Sequence, residues 1–332
     1  MKLDLAVLGQ GAVTPAGLGV KALLHGEPKP VPIASIRRPE KTWPVLRVDQ
    51  KDPALARWLR EPRLRRASPI TFFLVEAAEQ ALAGVPREDR AATGLIVAFS
   101  AGCLAYSRRF YEGIVKQGQK TASPALFPET VFNSPVSHVA TVLGLNGAAY
   151  SLVGDESAWG AALQTAATWL KLGRVRQALV LGVEEFDPLV LEAYACSRWL
   201  RGGFLTSEGA AGILVRMATS EDSHVIAEAR DGLIYRTRKE ASAAAEKLLS
   251  EIDNPIFPTT QHNWLGPLEN KTFGQRPRVI NSSPYLGEAI TASAAWNTIR
   301  AWNALDAATP RIALPLWGVN HQFGCLALEN RK

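Results

Sequence analysis

The stretch Gly147–Glu185, GAAYSLVGDESAWGAALQTAATWLKLGRVRQALVLGVEE, decides the fold. Ala148–Val153 is a short apolar run with Tyr and Val, Gly154-Asp155 breaks it, and Ser157–Leu172 is long and Ala-rich enough to predict a helix. Gly173 closes that helix. Gln177–Val183 is then a second continuous apolar run, as a strand covered on both faces shows in a βαβ unit. The helix carries Ala158, Trp159, Ala162, Leu163, Ala166, Trp169 and Leu170 with hardly a charge, so it is expected inside the molecule. The residue at its N-terminus faces unpaired backbone N–H groups and the positive end of the helix dipole, where enzymes place an activated thiol or an anion hole. Asp155-Glu156-Ser157 stands there, and an acidic N-cap is the plain structural alternative.

With 332 residues, 47% hydrophobic and 20% charged, the chain has length for one large or two medium domains and a substantial core. No apolar run reaches membrane-spanning length, and MKLDLAVLG runs straight into a strand without signal-peptide regions, so a cytoplasmic protein is expected. Cys103, Cys196 and Cys325 are far apart and show no CxxC or His/Cys spacing. Neither a disulfide framework nor a metal site is indicated, and all three are expected as buried small hydrophobes. The net charge of +6 comes with no nucleic-acid motif and suits acidic protein partners equally. Arg57, Arg60, Arg63, Arg65 and Arg66 form the densest basic run, either a solvated face or a surface for an acidic carrier protein.

Along the chain, Leu3–Leu8 predicts a strand leading into a Gly-rich loop, GQGAVTPAGLG, and a helix over Gly19–Leu24. Pro15 breaks the helix start that a dinucleotide fingerprint would need. Pro28–Pro69 reads as irregular, Ile70–Ala83 as a helix, Gly94–Phe99 as a strand, and a further helix begins near Ser134. After the organising unit, Phe204–Val215 is a turn and strand, Val225–Ile234 a strand, Ala241–Glu251 a charged helix, and Val279–Leu305 a turn and second Ala/Trp-rich buried helix. Ile312–Leu316 and Gln322–Leu328 close the chain as strands around GVNH. Each part has a turn feeding a buried helix, which predicts an α/β fold of two βαβ-type halves in stacked layers.

These residues resemble the β-ketoacyl synthases of the thiolase superfamily over essentially the whole chain. LGQGAVTPAGLG resembles the family's opening strand and loop, FPETVFNSPVSHVATVLGLNG and LKLGRVRQALVLGVEE the segments before and after its nucleophile, and FLTSEGAAGILV its glycine-rich GEGAG strand. The resemblance implies a thiolase-like α-β-α-β-α sandwich with halves over 1–218 and 219–332, the second shortened. The family's nucleophilic Cys corresponds to Glu156, and its first catalytic His to His262 in HNWLGPLEN. Its Lys and second His correspond to Ser283 and Glu288 in SPYLGE, and its terminal loop to NHQFGC. A carboxylate is a poor nucleophile toward a thioester, so condensation by the family mechanism is excluded on this reading, and an ionised Glu288 would oppose a developing enolate.

The resemblance implies a non-catalytic, chain-length-factor-like subunit that pairs as a heterodimer with an active ketosynthase, serves an acyl carrier protein, and needs no cofactor, metal, nucleic acid or membrane span. Such pairs occur in type II polyketide, aryl polyene and fatty-acid-like biosynthesis. Glu156, His262, Ser283 and Glu288 would then form a vestigial pocket, and Tyr106, Phe110, Phe132 and Phe323 are candidates for the acyl tunnel. The alternative is a divergent enzyme in which Glu156, His262 and Glu288 act as acid and base on an acyl thioester.

Overall fold

A computed structural model of the chain describes residues 1–200, 204–250, 268, 271–272 and 285–331. Twelve strands are described: β1 (Lys2–Thr14), β2 (Gly17–Leu18), β3 (Pro30–Ala34), β4 (Thr42–Leu46), β5 (Thr93–Phe99), β6 (Ala149–Val153), β7 (Gln177–Glu184), β8 (Thr206–Ser207), β9 (Gly209–Met217), β10 (His224–Ile234), β11 (Arg311–Gly318) and β12 (Gln322–Asn330). The large sheet runs β11-β12-β10-β1-β9-β7-β5-β6, with β2 hairpinned onto β1, while β3, β4 and β8 form a small second sheet. β5 lies parallel to both β6 and β7, so the helix Ser157–Lys171 is the crossover of a βαβ unit, as its two flanking apolar runs require. β10 and β11 both run antiparallel to β12 and hence parallel to each other, with the helix Ile290–Asn303 between them in sequence.

Layering follows from which helices are apolar all round. Ser157–Lys171 packs on β5 and β7 at one side and on β10, β11 and β12 at the other, and it also touches Ile290–Asn303. These two helices therefore form the middle helical layer. Trp159 Nε1 donates to Thr298 Oγ1 at 2.7 Å, giving the one polar atom of that buried ring a partner. Pro69–Ala81 covers the outer face on β1, β9 and β7, and Arg238–Leu249 covers the other outer face on β10 and β12. The result is the α-β-α-β-α sandwich.

Three sequence expectations need correction. Gly9-Gln10-Gly11 is not a loop but the middle of β1. A Cβ on Gly9 or Gly11 would lie 2.0 Å from the carbonyl oxygen of Ala81 or Ala77, so these glycines let the covering helix sit directly on the strand. The irregular 28–69 segment holds β3, β4 and short helical turns, including Pro53–Ala56 capped by Asp52. Cys103 and Cys325 are buried, whereas Cys196 is exposed at the end of the helix Pro188–Cys196. Among the described residues no helix is long and apolar enough to cross a membrane.

Candidate functional site

The turn between β6 and the buried helix is tied to the last hairpin of the chain. Asp155 Oδ1 accepts from Ser157 N at 3.0 Å and Ser157 Oγ at 2.6 Å, capping the helix, while Asp155 Oδ2 accepts from Asn320 N at 2.8 Å. Glu156 Oε2 accepts from Val319 N at 3.2 Å. The acidic pair thus takes up the free amides of the β11–β12 turn, and those N–H groups have no capacity left for an outside anion. Glu156 Oε1 is buried with no hydrogen-bond partner among the described residues. Burial, then Glu288, then Asp155 push the Glu156 carboxyl well above the usual carboxylate range.

Glu288 is 3% exposed and arrives from the far side. Its N–H donates to Leu205 O at 2.7 Å, its carbonyl accepts from Ser207 N at 3.0 Å, and its Oε1 accepts from Ile290 N at 2.9 Å. Gly287, at φ +76°, allows this approach, since a Cβ there would lie 2.8 Å from Ser207 Cβ. Beyond burial, Glu288 is a neighbouring charge that raises the Glu156 carboxyl. His262 and Ser283 lie outside the described residues.

A cavity of about 420 Å³ opens beside Glu288. Glu184, Glu185, Tyr194, Trp199, Thr206, Ser207, Val319 and Asn320 line it together with aliphatic side chains such as Leu104, Leu189 and Ile290. Glu184 accepts from Ser100 N at 2.6 Å and Thr291 Oγ1 at 2.9 Å, and burial lifts its carboxyl to about 7. Glu185 accepts from Ala105 N at 2.8 Å and Ile70 N at 3.1 Å, and burial lifts it to about 8. Burial also raises the Tyr194 phenol, helped by Glu184, Glu288 and Glu156. Sequence reading passed over Glu184, Glu185, Tyr194, Thr206 and Ser207. The Glu184-Glu185 pair at the end of an otherwise apolar strand was the one available signal, because a strand covered on both faces has no solvent for charge.

The four aromatic tunnel candidates do not converge. Phe110 packs tilted against Phe127 with ring centroids 5.7 Å apart, and Phe132, whose carbonyl accepts from Ser151 Oγ on β6, packs tilted against Phe99 at 5.8 Å. Tyr106 lies one helical turn before Phe110 on the helix Leu104–Gln117. Phe323 is fully buried against Trp317, 4.3 Å between ring centroids, in the separate core beneath Arg238–Leu249. On and beside β6, Phe132, Tyr150 and Val153 are each at least half exposed, as are Tyr111 and Val115 on the helix Leu104–Gln117 and Phe127 in the turn after it. Among the described residues no group of three or more His, Cys, Asp or Glu side chains is placed to hold a metal ion. In the basic run, Arg57 pairs with Glu76 at 2.9 Å and Arg63 donates to Thr141 O at 3.0 Å.

Residues 38–221, more than half of the chain, match the β-ketoacyl synthase N-terminal domain, and the chain belongs to the β-ketoacyl synthase family. Solved structures agree on the fold. The ishigamide ketosynthase/chain length factor superposes with TM-score 0.82 at 17% identity, covering 99% of this chain and 100% of that one. The ketosynthase ApeO in complex with its chain length factor ApeC, from Xenorhabdus doucetiae, gives TM-score 0.76 at 15% identity over 99% and 98%. AntDE:AntF, a type II polyketide synthase acyl-carrier protein in complex with its ketosynthase, gives 0.74 at 17% over 99% and 100%. No curated protein sequence matches the chain significantly.

Proposed function

We propose that the chain is a chain-length-factor-like subunit that pairs with an active β-ketoacyl-acyl-carrier-protein synthase and walls its acyl tunnel in type II polyketide, aryl polyene or fatty-acid-like biosynthesis. The observation that carries this reading is the side chain at the N-terminus of the buried helix. Glu156 occupies the place we assign to the family's nucleophile, and its carboxylate is bonded to Val319 N. A carboxylate there attacks no thioester, and it keeps an amide from stabilising a tetrahedral oxyanion. Supporting it are the exposed apolar surface around the terminal strand β6 and the likeness to structures that contain chain length factors. We read 1–218 and 219–332 as the two halves of the fold, the second shortened.

In this family arrangement β6 would pair with its counterpart across a two-fold axis, an interface of about 2,000 Å² or more and core-like in composition. The test is co-expression with a ketosynthase encoded beside it, followed by size-exclusion chromatography and mass spectrometry. A stable heterodimer that is lost in Tyr150→Asp and Val153→Asp supports the reading. A monodisperse monomer that ignores every such ketosynthase refutes it.

One observation favours a second reading. Burial, with Glu288 as a neighbouring charge, raises the Glu156 carboxyl well above the usual carboxylate range, and a carboxyl so raised has the character of a general acid. On that reading Glu156, Glu288 and His262 act as acid and base on an acyl thioester. Loss of turnover in Glu156→Ala with the complex intact selects it.

A further inference from the structure

From Leu104 to Pro128 every residue keeps some surface in solvent, although the span runs between two buried ends. Gly102 and Cys103 stand at one end. Glu129 stands at the other, hydrogen-bonded to Ser134 Oγ and His138 Nε2 at 2.9 Å each. The helix Leu104–Gln117 makes up most of the span and leaves Tyr111 64% and Val115 83% exposed. It packs mainly on the turns that follow it, as Phe110 does on Phe127, so the span coheres with itself more than with the sheet. A segment that buries so little apolar surface opens at a lower free energy than the core it lies on.

The bonds that tie this helix to the sheet come from residues just past the end of β7. Glu185 Oε1 accepts from Ala105 N at 2.8 Å in the first turn of the helix, which has no side-chain cap of its own. One turn on, Arg108 Nε donates to both oxygens of Asp187 at 2.9 Å, and the Asp187 side chain is buried. Gly102 supplies a joint, because its φ of +64° suits glycine, and a Cβ there would lie 2.6 Å from the ring of Phe132.

We propose that residues 104–128 form a hinged flap that opens as one unit about Gly102 and is latched shut by Glu185 and Asp187. Opening frees the Cys103 thiol from Ser68 Oγ, 3.4 Å away in the closed state. It also withdraws Leu104 from the wall of the cavity of about 420 Å³ and bares Glu185 on that wall. The device goes beyond both readings of the site and depends on neither.

The native thiols report it. Cys196 is exposed, whereas Cys103 and Cys325 are buried, and burial lifts each of these two thiols to about 12, so each reacts only when freed. Cys325 lies in the separate core beneath Arg238–Leu249 and serves as the control. The full chain is treated with iodoacetamide under native conditions and read by peptide mass spectrometry, with hydrogen exchange followed in parallel. Cys196 is expected to label at once and Cys103 well before Cys325, while the amides of Leu104–Gln117 exchange faster than those of Ser157–Lys171. Arg108→Met breaks the latch from the flap side. It should speed Cys103 labelling about tenfold, the value of one hydrogen bond to a charged group, and leave Cys325 unchanged. Cys103 labelling no faster than Cys325 in the parent protein overturns the proposal without any variant. Labelling of Cys103 that ignores Arg108→Met, or that quickens only in step with Cys325, overturns it as well.

Discussion

The carboxylate of Asp155 lies where a side chain on Gly318 would have to be: a Cβ built on Gly318 falls 2.4 Å from Asp155 Oδ2. The helix cap and the β11–β12 turn are therefore in contact only because residue 318 lacks a side chain. Asp155 bridges the two, serving Ser157 N and Asn320 N at once.

Gly318→Ala should accordingly push Asp155 away and free the turn, at about 1–3 kcal/mol of stability, the usual cost of overpacking a tight contact. Urea unfolding measures it. In a double-mutant cycle with Asp155→Ala the two changes should be strongly non-additive, because the second removes the group the first collides with. Additive effects would place the strain elsewhere.

Stability should fall as pH rises toward 8. Glu184 and Glu185 are lifted from an ordinary 4.5 to about 7 and about 8 by burial. Between the unfolded and folded values the native state holds protons that the unfolded chain has released, so the stabilisation present below about pH 4.5 is lost as pH rises through the folded values. Each group contributes a slope of up to ~1.4 kcal/mol per pH unit within its window. Urea midpoints taken across this range should decline and then level off, and Glu184→Gln should flatten the part below about pH 7. A midpoint that stays level over the same interval would show that both carboxyls are already ionised in the native state.

Incubated with acyl-carrier thioesters, the purified chain should gain no covalent acyl group by intact-mass spectrometry. Glu156→Cys should gain no condensing activity either, since Ser283 and Glu288 still stand at the positions assigned to the family's Lys and His, and residues acting as a unit are not rescued singly. A stable adduct on the peptide carrying Glu156 and Ser157 would refute the non-catalytic reading.

The aromatic candidates should separate by position. Phe132→Ala, Phe110→Ala or Tyr106→Ala in the assembled complex should lengthen the acyl products, because we assign these rings to the surface that meets the partner. Phe323→Ala should leave product length alone and instead cost about 3–5 kcal/mol of stability as a cavity mutation, because Phe323 is fully buried against Trp317. Chain length read by mass spectrometry and thermal unfolding read in parallel decide between them.

What the sequence determined by itself is the layered fold. The run from Gly147 to Glu185 carries its own punctuation, with Gly154 and Gly173 at the breaks, and the apolar periodicity of Ala158 to Leu170 leaves a helix no choice but the interior. Local signals of that kind need no knowledge of distant residues. Glu156 stood out for the same reason, being an acid at the N-terminus of a buried helix. Only the tertiary structure decided that Gly9 and Gly11 belong to a strand, because their need for glycine comes from carbonyls of Ala81 and Ala77, some seventy residues away. It likewise decided that Cys196 is exposed and that Phe323 sits apart from the other aromatic candidates. The site was legible only at its two acids. Thr206 and Ser207 read in sequence as part of a glycine-rich turn, and their burial, with no hydroxyl partner among the described residues, is set by Val45, Leu46 and Glu288, brought to them from opposite ends of the chain. A hydroxyl's value depends on what faces it, and that is a property of packing.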